Sequence, residues 1–463
     1  MSELAAGDPL SMNELTMNEL ARRFDTVIVA TPDIQGRLIG RRTTVEGFRH
    51  AVGHSGIHVS TCVFGWDIVQ DAALLAGGRL RYTGKHTGMG DIALRPDLAT
   101  LRPAGWLERT AVCLADAVEA DGTPTAVSPR ALLRAELARW EMARMSASTG
   151  TELEFYLYRG SPRQARARGY RGLTPTTLSP ADYSLYEGDE FEPFSADLRQ
   201  RLQETGIEVE AAQLEWGLGQ WETTLVHTSP LEMADRHALY KLATRTLAAR
   251  AGFTATFMAK PFDGGPGSSC HVHLSVCGHD GAPLFWDGSA EQHLSADLRQ
   301  AIGGSLARAG ELMAWYAPTV NSYRRIRSHD AAGWGLSWGI DHRFCSVRVV
   351  GHHPEELRLE FRLPGADANP YLVLAGLLAS VRDGLARKVD PGPATVGNPH
   401  ETAPEGIPLH LGDAVAAFRE SLFARATFGD EVIDHHAALG TFEWHRFLDA
   451  VTDWERERYF ELI

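Results

Sequence analysis

The sequence predicts an α+β protein with a flexible leader at residues 1–20, a small N-terminal domain at residues 21–119 and a larger domain at residues 120–463. The chain of 463 residues is too long for one typical domain. Hydrophobic residues make up 44% and charged residues 22%, as in ordinary globular proteins. Short β-branched runs and segments with helix-capping signals both occur along it, which favours a mixture of strands and helices.

The small N-terminal domain begins with a predicted β-hairpin. The segments DTVIVATPDIQG and RLIGRR, from residue 25, are β-branched runs that flank a Pro-Asp turn signal. A region rich in glycine and turns follows at residues 82–106, and an apolar run, TAVCLADAV, ends near Val118. The polar leader before this hairpin repeats a short pattern, SMNEL and TMNEL, and suggests no function.

The larger domain begins with a predicted helix. Ser128 and Pro129 have the residue types of an N-cap and a first turn, before a helix that reaches about Met145. Ser229 and Pro230 open a second helix in the same way, with Gly252 as its C-terminal signal. Further helices are predicted at residues 296–314, 370–387, 411–424 and 442–460, and mobile loops at residues 159–181 and 389–408.

Composition predicts a soluble cytoplasmic protein that binds neither nucleic acid nor membrane. The 45 basic and 59 acidic side chains give a formal charge of −14, which disfavours a nucleic-acid surface. The five cysteines are scattered without CxxC spacing, which is typical of a reducing compartment. Apolar runs are much shorter than the ~20 residues that cross a bilayer, and no signal peptide is recognisable.

Residues 260–275, KPFDGGPGSSCHVHLS, join a glycine-rich loop to an alternating strand. Alternation places His271, His273 and Ser275 on one face of that strand, beside a backbone that glycine lets a ligand approach closely. A His-x-His pair alone is equally consistent with two half-exposed surface histidines. The sequence has no G-x-x-x-x-G-K-[ST] phosphate loop, and GGPG alone is a weak signal.

Glutamates inside apolar strands favour the ligand interpretation. Three blocks contain them, TELEF, LEWGLGQWETTL and RLEFRLP, and the residues are Glu152, Glu154, Glu215, Glu222 and Glu360. A carboxylate buried among apolar residues is costly unless a positive charge neutralises it. Five glutamates and a histidine suit two hard divalent cations, Mg²⁺ or Mn²⁺, better than zinc, which favours cysteine and histidine.

Six blocks together resemble the type I glutamine synthetase superfamily in their order and spacing. They are TELEF, LEWGLGQWE, KPFDGGPGSSCHVHLS, NSYRR, DHRFCSVRVVG and RLEFRLPGADANPY, and they extend over nearly the whole chain. The resemblance implies an N-terminal β-grasp domain, a catalytic domain on a curved antiparallel sheet, and a dodecamer of two stacked hexameric rings. It also implies an enzyme that uses ATP and two to three Mg²⁺ or Mn²⁺ ions per site.

The resemblance assigns roles to residues block by block. It implies one metal site at Glu154, Glu215 and Glu222, and another at Glu152, His271 and Glu360. L-Glutamate would contact Gly267, Arg325 and Arg362, although Pro266 replaces an asparagine usual in the family. ATP would contact His273, Ser275, Arg343, Arg348 and Arg358, and the catalytic residues would be Arg343 and Glu215.

One departure from the family pattern concerns the acceptor amine. Ammonia-using members have a glutamate on a flap where this sequence has Ala331, and the loss of an anion there leaves room for a larger amine. Their N-terminal aspartate has no clear match either, because Asp67, Asp71 and Asp91 are nearby but in different contexts. The candidates for the residue that accepts a proton from the attacking amine are His329, Asp330 and Glu215.

The sequence therefore predicts a γ-glutamylamide synthetase that joins L-glutamate to a primary amine, such as ethanolamine or a polyamine, through a γ-glutamyl phosphate. A true glutamine synthetase that uses ammonium is the alternative within the family. A catalytically silent structural or regulatory member is a third possibility, disfavoured because all six matched metal ligands are retained. The sequence does not select the amine.

Overall fold

The computed structural model describes residues 17–71, 73–76, 80–328, 333–402 and 406–463. Most of the predicted leader, residues 1–16, lies outside them. The predicted boundary at residue 20 falls inside helix α1 (Met17–Arg23), where Leu20 is buried in the N-terminal core.

A six-stranded sheet forms the N-terminal unit of the described chain. Its strands are β1 (Thr26–Pro32), β2 (Leu38–Thr44), β3 (Ile57–Ser60), β4 (Asp91–Pro96), β5 (Arg102–Pro103) and β6 (Thr110–Val118). The order is β2-β1-β6-β4-β3, with β5 on β6. The predicted hairpin is confirmed, since β1 and β2 pair antiparallel, and the predicted end near Val118 is the end of β6. Helices α2 (Val45–Gly53) and α3 (Ala73–Ala76) complete this unit.

A nine-stranded sheet carries the larger domain within the described residues. Its strands are β7 (Met145–Arg159), β8 (Thr174–Pro175), β9 (Val209–Leu214), β10 (Gln220–Thr228), β11 (Phe253–Thr256), β12 (Cys270–Gly278), β13 (Trp334–Ile340), β14 (Cys345–Val350) and β15 (Arg358–Phe361). The order is β13-β14-β15-β12-β7-β10-β9, and β8 and β11 also pair with β7. The pairing of β13 with β14 is parallel, and the other pairings in this sheet are antiparallel.

Helices cover this sheet and fill the main core. They are α4 (Pro129–Met142), α5 (Pro162–Ala167), α6 (Leu185–Gly188), α7 (Glu192–Glu204), α8 (Pro230–Arg250), α9 (Ala296–Tyr316), α10 (Ser322–Arg327), α11 (Pro370–Arg387), α12 (Pro399–Thr402), α13 (Leu411–Glu420), α14 (Leu422–Phe428), α15 (Asp430–Leu448) and α16 (Asp453–Tyr459). Short 3₁₀ turns occur at Thr61–Phe64, Lys85–Thr87, Leu98–Thr100, Asp189–Phe191 and Glu291–His293. Within the described ranges, no helix combines the length and apolar character that a membrane crossing requires.

Several predicted helices are confirmed and the C-terminal ones are wrong in their boundaries. Pro129 and Pro230 begin helices as predicted, and α11 has the predicted bounds. The predicted helix 411–424 is divided at Ser421, whose hydroxyl accepts the N–H of Ala424 and caps α14. The predicted helix 442–460 is also wrong, because α15 begins twelve residues earlier, at Asp430, and Thr452 caps a separate α16.

The predicted mobile loops contain short elements. Residues 159–181 include α5, which begins with a capping box between Ser161 and Gln164, and the two-residue strand β8. Residues 389–408 include α12, and residues 403–405 of that loop lie outside the described chain. The predicted mixture of sheets and helices is confirmed, and the division of the chain into two sequential domains stays a prediction.

Candidate active site

Polar side chains form a band across one face of the larger sheet, because they lie directly opposite one another on neighbouring strands. We call Gln213, Glu222, Glu154, Glu152, His271, His273, Glu360 and Arg348 the carboxylate band. The pairs in register are Gln213 with Glu222, Glu222 with Glu154, Glu152 with His271, His273 with Glu360, and Glu360 with Arg348. Residues directly opposite in an antiparallel pair have adjacent side chains on the same face. Strand pairing thus collects residues that are far apart in sequence.

Alternation along each strand separates this band from the core. On β7, Leu153 and Phe155 are almost fully buried in the main core, while Glu152 and Glu154 lie on the opposite face. Val272 and Leu274 alternate with the two histidines of β12 in the same way. The predicted common face of His271, His273 and Ser275 is therefore confirmed.

Glu152 lies at the centre of the band, between the two histidines. Its Oε1 is 2.9 Å from Nε2 of His273, and its Oε2 is 3.3 Å from Nδ1 of His271. Nδ1 of His271 is also 3.4 Å from Oε1 of Glu360. Two groups of side chains, Glu152 with His273 and Glu360, and Glu152 with Glu222 and His271, have ligand atoms within 4.8 Å of one another. Both groups share Glu152.

At the other end of the band, Glu222 lies close to Glu215, the residue that follows β9, and neither forms an ion pair among the described residues. Nε2 of Gln213 donates to Oε1 of Glu222 at 3.0 Å and to Oε1 of Glu215 at 3.4 Å. Burial, together with the charges of Glu154 and Asp182, raises the pKa of Glu215 to about 8. Burial and the surrounding carboxylates likewise raise the pKa of Glu222 well above its usual value. The described residues around these two glutamates thus disfavour the state in which both are ionised.

The residues of the band fit a hard divalent cation. Nε2 of His271 is buried and has no hydrogen-bond partner among the described residues. The candidate donors around it are mainly carboxylate oxygens, which Mg²⁺ and Mn²⁺ prefer. A cation would also relieve the repulsion that raises the pKa values of Glu215 and Glu222.

The groupings differ from the two triads that the sequence predicted. His273, predicted to contact ATP, belongs to one group, whereas Glu154 and Glu215 belong to neither. Oε2 of Glu154 instead accepts hydrogen bonds from Nε2 of Gln220 at 2.7 Å and from the Ser269 amide at 3.0 Å. The structure thus brings all six predicted ligands to one face, and their division between two ions stays a prediction.

Three predicted substrate-binding arginines border the Glu360 end of the band. The Arg362 guanidinium contacts Oε1 of Glu360, and NH1 of Arg348 donates to Oε2 of Glu360 at 3.1 Å. Nε of Arg358 donates to Nδ1 of His273 at 3.0 Å. Burial would raise the pKa of Glu360, but Arg362 and the two histidines hold it below its usual value. This end of the band is therefore locally neutralised.

Arg325 is buried beneath the glycine-rich loop. Its Nε and NH2 donate to Oγ of Ser269 at 3.2 and 2.8 Å, and its NH1 donates to the Leu363 carbonyl at 2.8 Å. A Cβ on Gly267 would lie 2.5 Å from Cγ of Arg325, so only glycine allows this packing. Burial lowers the pKa of Arg325 to about 10. Two of the three residues predicted to contact glutamate, Gly267 and Arg325, are thus packed against each other.

The remaining predicted residues lie at the periphery or outside the described chain. Ser275 is half-buried opposite Ser148, and Arg343 is exposed in the turn between β13 and β14. The N-terminal candidates Asp67, Asp71 and Asp91 are not part of the band. Asp67 accepts the amides of Val69 and Asp71 instead. The flap residues His329, Asp330 and Ala331 lie outside the described residues.

Two glutamines were missed by the sequence analysis, although alternation could have indicated both. Gln213 and Gln220 each lie two residues before a glutamate already singled out, Glu215 and Glu222. Nε2 of Gln220 also donates to the Gly267 carbonyl at 3.0 Å, which connects β10 to the glycine-rich loop. The role of Ser269 had no comparable signal, because it depends on the position of Arg325.

Comparison with known proteins finds a matching family model, similar sequences and a similar solved structure. Residues 126–459 match the family model described as glutamine synthetase, catalytic domain. Gamma-glutamylethanolamide synthetase GlnA4 of Streptomyces coelicolor is 37% identical, over 98% of this chain and 96% of that protein. Glutamate–isopropylamine ligase of a Pseudomonas species is 35% identical, over 95% of this chain and 96% of that protein. A solved complex of GmaS with ADP has a TM-score of 0.83 at 26% identity, over 96% of this chain and 99% of that one.

Proposed function

Because the chain belongs to the glutamine synthetase family, we propose that it is an ATP-dependent ligase that joins the γ-carboxylate of L-glutamate to a primary amine. The family predicted from the six sequence blocks is confirmed, as is its γ-glutamylamide synthetase branch. The structural observation that carries the proposal is the carboxylate band, which has arginines at one end and unneutralised glutamates at the other. Phosphoryl transfer needs positioned cations and little other chemistry from the protein.

The metal sites of this proposal would use Glu152, Glu154, Glu215, Glu222, His271 and Glu360, and the position of His273 makes it a further candidate ligand. Bound Mg²⁺ or Mn²⁺ would supply positive charge to the phosphoryl oxygens. The arginines have separate tasks. Arg325 and Arg362 would orient glutamate, and Arg343, Arg348 and Arg358 would hold the phosphates of ATP, for which a guanidinium fork is well suited.

Two displacement steps account for the proposed reaction. An oxygen of the glutamate γ-carboxylate attacks the γ-phosphorus of ATP, ADP leaves, and γ-glutamyl phosphate forms. The nitrogen of the amine then attacks the acyl carbon, and inorganic phosphate leaves as the amide bond forms. The amine must lose a proton, because alkylamines are mostly protonated at pH 7. Glu215, His329 and Asp330 are the candidate acceptors.

An alkylamine acceptor is supported over ammonium by two observations. The names of the two relatives at 37% and 35% identity both specify an amine larger than ammonia. Ala331 also lacks the flap carboxylate that ammonia-using members have, according to the resemblance. Ethanolamine and polyamines both remain candidate acceptors for this chain.

The test is phosphate release with ATP, Mg²⁺, L-glutamate and a panel of amines, with the amide identified by mass spectrometry. The panel contains ammonium, isopropylamine, ethanolamine, putrescine and spermidine, and aspartate replaces glutamate as the control donor. We expect a higher kcat/KM for at least one alkylamine than for ammonium, and a shift toward ammonium in Ala331→Glu. If ammonium outcompetes every amine, the chain is a true glutamine synthetase. The absence of turnover with every acceptor would favour a silent family member.

We further propose a cytoplasmic dodecamer of two hexameric rings that binds neither nucleic acid nor membrane. The family relationship and the five free cysteines support this assignment. Light scattering coupled to size-exclusion chromatography would measure the subunit number. A mass near twelve subunits is expected, and a stable monomer that is fully active would contradict the proposed assembly.

A further inference from the structure

A cavity of about 690 Å³ lies between the N-terminal unit and the helices of the larger domain. Its walls come from the β1–β2 turn at Gly36 and Arg37, from α8, and from α15. None of the described residues of the carboxylate band lines it. Its volume is in the range of small-molecule sites, about 300–1,000 Å³. The proposed ligase reaction gives it no role.

One wall of this cavity is cationic. Lys241 and Arg245 lie one turn apart on α8 and line the cavity together. Nζ of Lys241 and Cζ of Arg245 are each 5.2 Å from the centre of the Phe257 ring. Nζ of Lys241 donates to the Ala366 carbonyl at 2.7 Å. Arg245 forms no hydrogen bond or ion pair within the described chain, and its exposed side chain leaves the guanidinium donors available.

The acidic residues of the lining do not neutralise Arg245. Oδ2 of Asp367 accepts the hydroxyls of Thr319 at 2.7 Å and Ser322 at 2.6 Å. Oδ1 of Asp67 accepts two backbone amides of its own loop. Burial and Asp67 raise the pKa of Glu443, which favours its neutral form.

A buried histidine adds a donor to the same lining. Nε1 of Trp315 donates to Nδ1 of His436 at 3.2 Å, and an indole nitrogen can only donate. The neutral imidazole therefore has its proton on Nε2. His436 is 8% exposed, and its Nε2 has no partner among the described residues. An N–H group buried without an acceptor is costly, which favours a ligand that supplies one.

We propose that this cavity binds a small organic anion, a carboxylate on an apolar or aromatic body. Arg245 presents the planar donor fork that pairs with a carboxylate. Leu242, Leu439 and Phe447 provide apolar surface for the rest of the molecule. The combination of a few polar groups with a mainly apolar wall is typical of ligand sites.

The test is isothermal titration calorimetry of the full-length protein with 1-naphthylacetate. The matched neutral probe is 1-naphthylacetamide, which has the same aromatic body without the charge. We expect one site per chain for the acid and binding of the amide weaker by about tenfold or more. Absence of acid binding would overturn the proposal, also if the cause is that another subunit covers the cavity. Equal binding of the acid and the amide would overturn it as well.

Two variants locate the binding. Arg245→Gln should weaken acid binding by about tenfold or more, whereas Arg166→Gln, an exposed arginine of α5 outside the lining, should leave it unchanged. If Arg245→Gln fails to fold, Met258→Trp tests the same cavity, because it enlarges a side chain that lines the cavity and is 45% exposed. Unchanged binding in folded Arg245→Gln or in folded Met258→Trp would contradict the assignment.

Discussion

Two buried clusters of acidic residues, one around Arg130 and one around Gln213, differ in whether a cationic side chain neutralises their carboxylates. Around Arg130, which is fully buried, Asp235 accepts two hydrogen bonds at 3.1 and 2.9 Å, Asp97 accepts one at 2.8 Å, and Asp116 accepts another. At the Glu222 end of the carboxylate band, the single side-chain amide of Gln213 donates to both Glu222 and the neighbouring Glu215. The first cluster is neutralised by arginine within the chain, whereas Glu215 and Glu222 form no ion pair among the described residues.

The directions of the pKa shifts follow from this difference. Burial alone would raise the pKa of Asp97, but Arg130 and Arg134 hold it below its usual value. Burial and neighbouring carboxylates instead raise the pKa of Glu215 to about 8. The Arg130 cluster connects the N-terminal sheet to α4 and α8, so we interpret it as structural. Carboxylates that are buried without a cationic partner thus distinguish the candidate active site from the structural Arg130 cluster.

The largest predicted effect is a loss of stability when the structural cluster loses its central arginine. Arg130→Met should lower the free energy of unfolding by about 3–5 kcal/mol, because three aspartates then lose their common partner. Urea denaturation measures the change. The matched control is Arg134→Met, which removes an arginine that contacts Asp97 and Asp116 but is 41% exposed. A similar loss of stability in both variants would contradict the distinct role of Arg130.

The second predicted effect is a loss of activity in a variant that keeps its fold. Glu222→Gln should lower the phosphate-release rate by roughly 10²–10³-fold, by analogy with the removal of one group that stabilises a charged transition state. Its thermal midpoint in EDTA should not fall, since the substitution removes repulsion. Glu210→Gln, on exposed β9 surface, serves as the control and should keep full activity. A fully active Glu222→Gln variant would remove this residue from the site.

The smallest effect is a pH dependence of opposite sign in the two clusters. The pKa of Glu215 is higher in the folded state than the ordinary 4.5, so its stabilising contribution is present below pH 4.5 and is lost as pH rises to about 8. The contribution of Asp97 is present above its ordinary pKa of 3.8 and is lost as pH falls below it. In EDTA, Glu215→Gln should therefore flatten the decline of the thermal midpoint between pH 5 and pH 8. Adding Mg²⁺ should flatten it in the unmodified protein, and an unchanged slope in both experiments would contradict this account.

Local sequence patterns predicted much of the fold and most of the face that carries the site. Alternation in CHVHLS placed His271 and His273 together, and capping signals located the starts of α4 and α8. The C-terminal helices were mispredicted because their apolar pattern continues across Ser421 and Thr452, whose hydroxyl caps begin new helices. A hydroxyl residue inside a helical pattern becomes a cap only when the chain turns there, which local patterns do not decide.

Pairings between distant strands could not be predicted from the residues alone. His273 is opposite Glu360 because β12 lies beside β15. Arg358, on the same strand as Glu360, donates to His273 although the two residues are 85 positions apart in the sequence. Gln213 faces Glu222 across a bulged pairing of β9 and β10. These neighbours depend on strand order and register, which are set by packing of the whole sheet.

The register of β12 also determines which changes of chain length the protein can tolerate. One residue inserted or deleted between Cys270 and His273 would turn the histidines toward the core and bring Val272 or Leu274 to the face of the glutamates. Such a chain could keep many of its strand hydrogen bonds and still lose the candidate active site. Length variation among natural homologues should therefore be rare within β7, β12 and β15, and should collect in surface segments such as residues 159–181.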